Sequence, residues 1–255
     1  MLKFKYITIL TLTILAVLLI CEPFVYISFW WYILLFSVTF WIIVIGSFSM
    51  SWGLFLKAVT SNPKISGKKI AITFDDGPNL NYTPKVLQLL KDYDARATFF
   101  CIGKQVKKHP ELLKSIVSEG HGIANHSYSH SVTIDFKSTE EWLTELKNTD
   151  EAIFNVTGLK TNLFRPPFGV TTPQLAKALK ITGHKAIGWN IRSFDTAIKN
   201  SKTIVKRITK KIHPGAVILL HDNHDRVEMV LEQLLQFLKT NDYQMVTIKD
   251  LLDEK

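Results

Sequence analysis

The chain has 255 residues, with 31 Lys/Arg against 22 Asp/Glu, a formal net charge of +9, and 47% hydrophobic residues. The basic residues are scattered rather than massed, which argues against a nucleic-acid-binding surface, and two cysteines, Cys21 and Cys101, make no disulfide framework. Charge is unevenly spread: only Lys3, Lys5, Glu22 and Lys57 are charged within residues 1–60, so the chain does not read as one soluble unit.

Residues 6–21 are almost wholly apolar, Glu22-Pro23 interrupts them, and residues 24–56 are apolar again and rich in aromatics. The tract exceeds a signal-peptide core of roughly 7–15 residues, and one bilayer span takes about 20. Two transmembrane helices with a tight turn near Glu22-Pro23 fit best, and a signal anchor with one true span is the alternative. Residues 1–59 are therefore read as a membrane anchor, 60–68 as a linker, and 69–255 as the catalytic domain. The bilayer is the implied partner, as in a bacterial-type cell membrane. Lysines on both flanks favour a hairpin with both ends in the cytoplasm, whereas a single span would place the catalytic domain outside.

Beyond the linker, strand and helix patterns alternate. Strands are expected at 69–74, 97–102, 121–125, from 163, at 185–190, 216–220 and 243–247. Helices are expected at 83–93, 110–118, 139–154, 172–181, 201–212 and 227–238, with a short one through Leu252. Ser138 or Thr139 caps the helix from 139, and Gly183 stops the one from 172. Such alternation implies a parallel sheet covered by helices, and seven units in under 200 residues suit a small irregular barrel. The fold class is α/β, a distorted (β/α)7 barrel preceded by the transmembrane segment. In such barrels the active site lies at the C-terminal ends of the strands.

Three polar strings follow apolar strands at that end: Thr73-Phe74-Asp75-Asp76-Gly77-Pro78, His126-Ser127-Tyr128-Ser129-His130 and Leu219-Leu220-His221-Asp222. Asp, Gly and Pro also simply make turns. Alternate residues at a strand end face different ways, however, so one aspartate can bind metal while its neighbour reaches the substrate water. His126 and His130, four apart, suit two ligands of one metal. His221, closing a buried strand, suits a general acid whose tautomer Asp222 or Asp195 would fix. Arg165-Pro166-Pro167-Phe168-Gly169 is a stiff loop offering a backbone N–H to an oxyanion and an arginine to a carboxylate. Trp189 reads as a pocket wall or as core, and Asp195 as a solvated loop residue or the partner of Arg165. His121 reads as structural and His224 as exposed.

In this order the strings resemble the polysaccharide deacetylase family, the carbohydrate esterases with a NodB-homology domain, over roughly residues 66–252. The resemblance implies a distorted barrel and a divalent metal, usually Zn2+. It would make Asp75 the general base and Asp76, His126 and His130 the metal ligands. Arg165 would orient Asp75, with Asp195 supporting Arg165 or the acid. Phe168, in the loop with Pro167, would give its N–H to the oxyanion; Leu219 would line the acetyl pocket, and His221 would be the acid. The implied reaction is metal-dependent removal of N-acetyl groups from the amino sugars of a chitooligosaccharide- or peptidoglycan-like glycan. The alternatives are deacetylation or deformylation of a lipid-linked amino sugar, or an inactive glycan-binding module. No protein partner is implied. Phe168 stands where the family often has Tyr, Asp195-Thr196 where it often has Asp-Trp, and Asn190 where Asp is frequent.

Overall fold

The computed structural model describes residues 2–253. Met1, Glu254 and Lys255, at the outer limits of the expected anchor and catalytic segments, lie outside the described residues. Helices α1 (Leu2–Cys21) and α2 (Phe29–Phe48) form an antiparallel hairpin. Each has 20 residues, and at 1.5 Å per residue that length matches the hydrocarbon core of a bilayer. Their side chains are exposed along most of both helices, and Thr11 and Thr39 join across them through their hydroxyls at 3.0 Å.

The rest of the chain alternates strand and helix: β1 (Lys69–Asp75), α3 (Thr83–Asp92), β2 (Ala97–Cys101), α4 (Gly103–Lys108), α5 (Pro110–Ser118), β3 (Gly122–Asn125), α6 (Thr139–Thr157), β4 (Leu163–Phe164), α7 (Pro173–Thr182), β5 (Lys185–Ala186), β6 (Ile191–Arg192), α8 (Ser201–Thr209), β7 (Val217–His221), α9 (Val227–Thr240), β8 (Gln244–Met245) and α10 (Ile248–Asp253). Local chemistry sets several boundaries. Ser138 and Glu141 close a capping box on α6, which ends at Gly158 with φ 69°. Thr172 caps α7 by accepting from the Leu175 N–H, and Gly183 ends it at φ 76°.

All ladders between the strands are parallel, in the order β5-β4-β3-β2-β1-β7-β6, with β8 beside the start of β1. The sheet curls into an open barrel. Period-2 alternation sorts β1: Ile70, Ile72 and Phe74 pack outward among α3, α5, α8 and α9, while Ala71 joins Phe100, Ala124 and Val217 in the inner cluster. Thr73 and Asp75 share the inward parity of Ala71. By the same rule Ile218 and Leu220 of β7 face out, leaving Leu219 and His221 inward.

Two expectations need correction. The single strand expected at 185–190 is two short strands, Lys185–Ala186 and Ile191–Arg192, because Ile187 and Gly188 between them pair with Val59 from upstream, Gly188 N donating to the Val59 carbonyl at 2.8 Å. A Cβ on Gly188 would come within 2.9 Å of Thr60 Cγ2 and 3.3 Å of Met50 Cε. The segment expected to be anchor and linker is woven into the domain. Leu54, Phe55 and Leu56 are buried beside Trp142, Phe164 and Leu175. Val59 then bridges Ile187 in parallel and Ser61 bridges Ala216 antiparallel, spanning the gap that β5 and β6 leave.

Candidate active site

Asp75 and His221 are direct ladder partners on adjacent strands, so one barrel end receives both side chains. Asp75 is buried, and its Oδ1 accepts from Arg165 Nη1 at 2.7 Å. Arg165, fully buried, is immobilised by four acceptors: Asp75, Thr73 Oγ1 at 2.8 Å, and the carbonyls of Ile187 and Gly188 at 3.2 and 3.0 Å. Its guanidinium lies 3.9 Å from the Phe100 ring centroid. A cation held this rigidly fixes both the charge and the direction of the Asp75 carboxylate.

Asp76, His126 and His130 converge. Their ligand atoms lie within 4.8 Å of one another, the one such group of three among the described residues. Asp76 Oδ1 stands 3.5 Å from His126 Nε2 and 3.3 Å from His130 Nε2. All three are oriented from behind. His126 Nδ1 lies 2.8 Å from the Arg165 carbonyl, which calls for a proton on Nδ1 and leaves the Nε2 lone pair facing Asp76. Asn223 Nδ2 donates to Asp76 Oδ2 at 2.8 Å. Glu145 accepts from the N–H groups of Tyr128 and Ser129 and from Ser129 Oγ at 2.7–2.9 Å, pinning the loop between the two histidines. The backbone there is unusual: Asp76, Ser127 and His130 have φ of 76°, 64° and 47°. Left-handed backbone at three non-glycine residues is held only where surroundings over-determine it, as at ligand clamps. The histidine pair therefore sits on a strained loop and not on the helical face that its spacing also allows.

Burial would raise the Asp76 pKa, but the neighbouring His126, then His130 and His221, outweigh it and bring it to about 2. Burial first, then His126, lowers that of His130. An ionised Asp76 and a His130 that gives up its proton more readily suit a divalent cation, which binds deprotonated ligands. The residues thus fit a metal site with one oxygen and two nitrogen donors.

On the other side of Asp75, His221 Nδ1 is 2.8 Å from Asp195 Oδ1, and Asp195 Oδ2 accepts from the His221 backbone N–H at 2.8 Å. Burial would lower the His221 pKa, but the bond to Asp195 and its charge, helped by Asp75 and Asp76, raise it to about 9. Asp195 is held well below the usual carboxylate range: burial opposes this, and the His221 hydrogen bond leads the groups that outweigh it. Asp195 thus supports the histidine, and Arg165 takes Asp75 instead. Asp222 does not contact the His221 ring; it bonds Thr83 behind Gly77, and burial pushes its carboxyl up to about 7.

Pro167, Leu219 and Trp189 line the same end. Leu219 is Arg192's ladder partner, and Trp189 lies between Arg165 and Arg192, with a ring edge where a Cβ on Gly169 would fall. Phe168, at φ 58°, covers His130 edge-on with centroids 4.7 Å apart. Asn190 turns away from the site, accepting from Val217 N. His121 is structural, buried with Nδ1 near the Ala97 N–H. His224, expected to be exposed, is largely buried with Nε2 3.2 Å from Asp195 Oδ2. Sequence reasoning missed His224, Asn223 and Glu145 as supports. The run His221-Asp222-Asn223-His224 was the one available signal for the first two.

A cleft of about 310 Å³ opens beside the triad, lined by Asp76, Asn79, Lys104, Gln105, His130 and Asn223. A larger groove, about 490 Å³ between α8 and α9, has lysines and polar side chains but no carboxylate or histidine.

The sequence profile of polysaccharide deacetylases matches residues 62–187. Over 190 residues the chain is 35% identical to a peptidoglycan-N-acetylglucosamine deacetylase of Listeria monocytogenes, covering 74% of this chain but 40% of that one. It is 37% identical to a peptidoglycan-N-acetylmuramic acid deacetylase of Bacillus subtilis, covering 74% of this chain and 73% of that one. The solved peptidoglycan deacetylase PdaC of Bacillus subtilis superposes with a TM-score of 0.69 at 34% identity, over 73% of this chain and 90% of that one.

Proposed function

From the premise that this chain belongs to the polysaccharide deacetylase family, we propose that it hydrolyses N-acetyl groups from amino sugars of a peptidoglycan-like glycan, anchored to a membrane by α1 and α2. The observation that carries the reading is the pair of buried acid–base devices, Asp75–Arg165 and Asp195–His221, on ladder-partnered strands around one ligand triad. A redox metal centre could use the same donor types. It would not need a fixed carboxylate and a protonated histidine on either side of the substrate.

Asp76, His126 and His130 would hold the metal, with Zn2+ best suited to the donor set. Bound there, it would supply Lewis-acid polarisation of the acetyl carbonyl and of the attacking water. Asp75 receives the proton of that water. Its Oδ1 is occupied by Arg165, so Oδ2, 3.8 Å from His126 Nε2, faces the reacting centre. The Phe168 N–H, aimed by the Pro166-Pro167 pair, donates to the carbonyl oxygen as it gains charge. Leu219 and Trp189 wall the acetyl methyl group. His221, carrying the proton that Asp195 stabilises, gives it to the departing sugar amine, which would otherwise leave as an unstable anion.

The test is acetate release from a panel of N-acetylated chitooligosaccharides and peptidoglycan fragments. Release by the wild type, lost in His221→Ala, is expected. Full activity in that variant would overturn the assignment.

A further inference from the structure

We propose that the rim of the active site rests in the membrane interface through Val132 and Phe136, so that the substrate is an N-acetylated amino sugar linked to a lipid and presented at headgroup level. The inference rests on the deacetylase reading and adds where the substrate comes from.

Three observations carry it. First, the hairpin is joined to the barrel at the active-site end. The Ser47 carbonyl, one residue before the end of α2, accepts from Thr171 N at 2.9 Å and from Thr171 Oγ1 at 3.2 Å. Thr171 lies three residues past Phe168, whose ring covers the ligand His130. One short loop therefore connects the end of an apolar spanning helix to the metal triad. Second, the loop leaving His130 is tied to the same hairpin. Ile134 is fully buried in a cluster with Leu54 and Phe55, against which Phe4 and Ile7 of α1 and Ile43 of α2 also pack. Its neighbours on either side project away from the protein: Val132 is 83% exposed and Phe136 90%. A loop that spends one side chain on the helices and displays two large apolar ones beside them is left without cover unless lipid provides it. Third, the hairpin's domain-side ends carry interfacial groups. Lys3 Nζ bonds the Trp52 carbonyl, and Lys5 and Lys57 are exposed there. Lysine and tryptophan are the side chains that settle at headgroup level, where lysine meets anionic lipid.

With Phe168, half exposed, on the same rim, the cleft at Asp76 and His130 opens close to the bilayer surface. A sugar carried on a lipid would reach it by lateral diffusion.

The full chain in lipid nanodiscs tests this. A small fluorophore on a cysteine at position 136 should be quenched by headgroup-level nitroxide lipids. One at Lys239, at the end of α9, should not. In the same discs, Val132→Asp/Phe136→Asp should lower kcat/KM for polyprenyl-diphosphate-linked N-acetylglucosamine by about tenfold or more, the factor of 1.4 kcal/mol in an equilibrium. Hydrolysis of soluble N-acetylchitotetraose should be unchanged. Equal quenching at 136 and 239, shielding of position 136 by a second copy without quenching, or equal loss on both substrates would overturn the proposal. Strong quenching with no hydrolysis of either substrate by the zinc-loaded wild type would instead leave the docking intact and refute the deacetylase reading.

Discussion

Arg165 Nη1 meets Asp75 Oδ1 at 2.7 Å with both side chains withdrawn from solvent. The pair reaches across the barrel from β1 to the loop after β4, and the Arg165 carbonyl also sets the His126 tautomer. One residue thereby couples the proposed base to a proposed metal ligand.

Removing the cation strands a buried carboxylate. Arg165→Met should destabilise the fold by about 3–5 kcal/mol, the usual cost of breaking a buried pair from one side. Thermal unfolding of the full chain in detergent checks this, with Asp75→Asn/Arg165→Met as the companion. The double variant should recover part of the loss, since it no longer buries an unpaired charge. An Arg165→Met melting temperature equal to wild type would contradict the assignment.

The His221–Asp195 pair sets a pH limb. His221 titrates at about 9 against an ordinary 6.5, so the protonated acid persists through neutrality. The rate should fall as pH rises through about 9. Asp195→Asn removes the leading group that opposes burial and leaves only the charges of Asp75 and Asp76 against it, so the limb should move to lower pH. For stability the sign is the same. The contribution of a raised histidine is complete below its unfolded pKa of about 6.5 and is lost as pH rises through the folded one. The kcat–pH profiles of the two proteins decide it, and superimposable profiles would rule out the pairing as the cause.

Glu145 touches no ligand side chain, yet it accepts three hydrogen bonds from the loop between His126 and His130. Glu145→Ala should leave the protein folded and weaken metal binding by about 10–100-fold, the usual effect of losing a supporting group. His126→Ala should abolish stoichiometric binding. Competition with a chromogenic chelator measures both. Wild-type affinity in Glu145→Ala would show that the loop holds its shape without it.

The residues gathered at the site were legible because each polar string directly follows a short apolar strand in the sequence. Asp75 and His221 close short apolar runs, and the order of these polar strings carries the resemblance to the family, while Ser138 with Glu141 marks a helix start without tertiary help. What stayed hidden depends on contacts distant in sequence. Helix α4 has one buried apolar side chain, Val106, in six residues, too few to show a period. The fifth strand stops at Ala186 because Ile187 and Gly188 pair with Val59, more than a hundred residues upstream. Leu54–Leu56 read as the tail of an apolar anchor because hydropathy does not distinguish lipid from a protein core. His224 and Asn223 gain their places only when the loop after β7 folds over Asp195 and Asp76.

The central claim is that Asp75, the Asp76–His126–His130 triad and His221 form one metal-dependent deacetylation centre. The most direct measurement is acetate release from N-acetylchitotetraose by the full chain and its Asp75→Asn variant, each assayed with chelator and after zinc is restored, alongside metal content. The account predicts that chelation stops release, that zinc restores it, and that Asp75→Asn binds one equivalent of zinc yet turns over at least about 100-fold more slowly. Release that survives chelation, or an Asp75→Asn variant as fast as wild type, would contradict it.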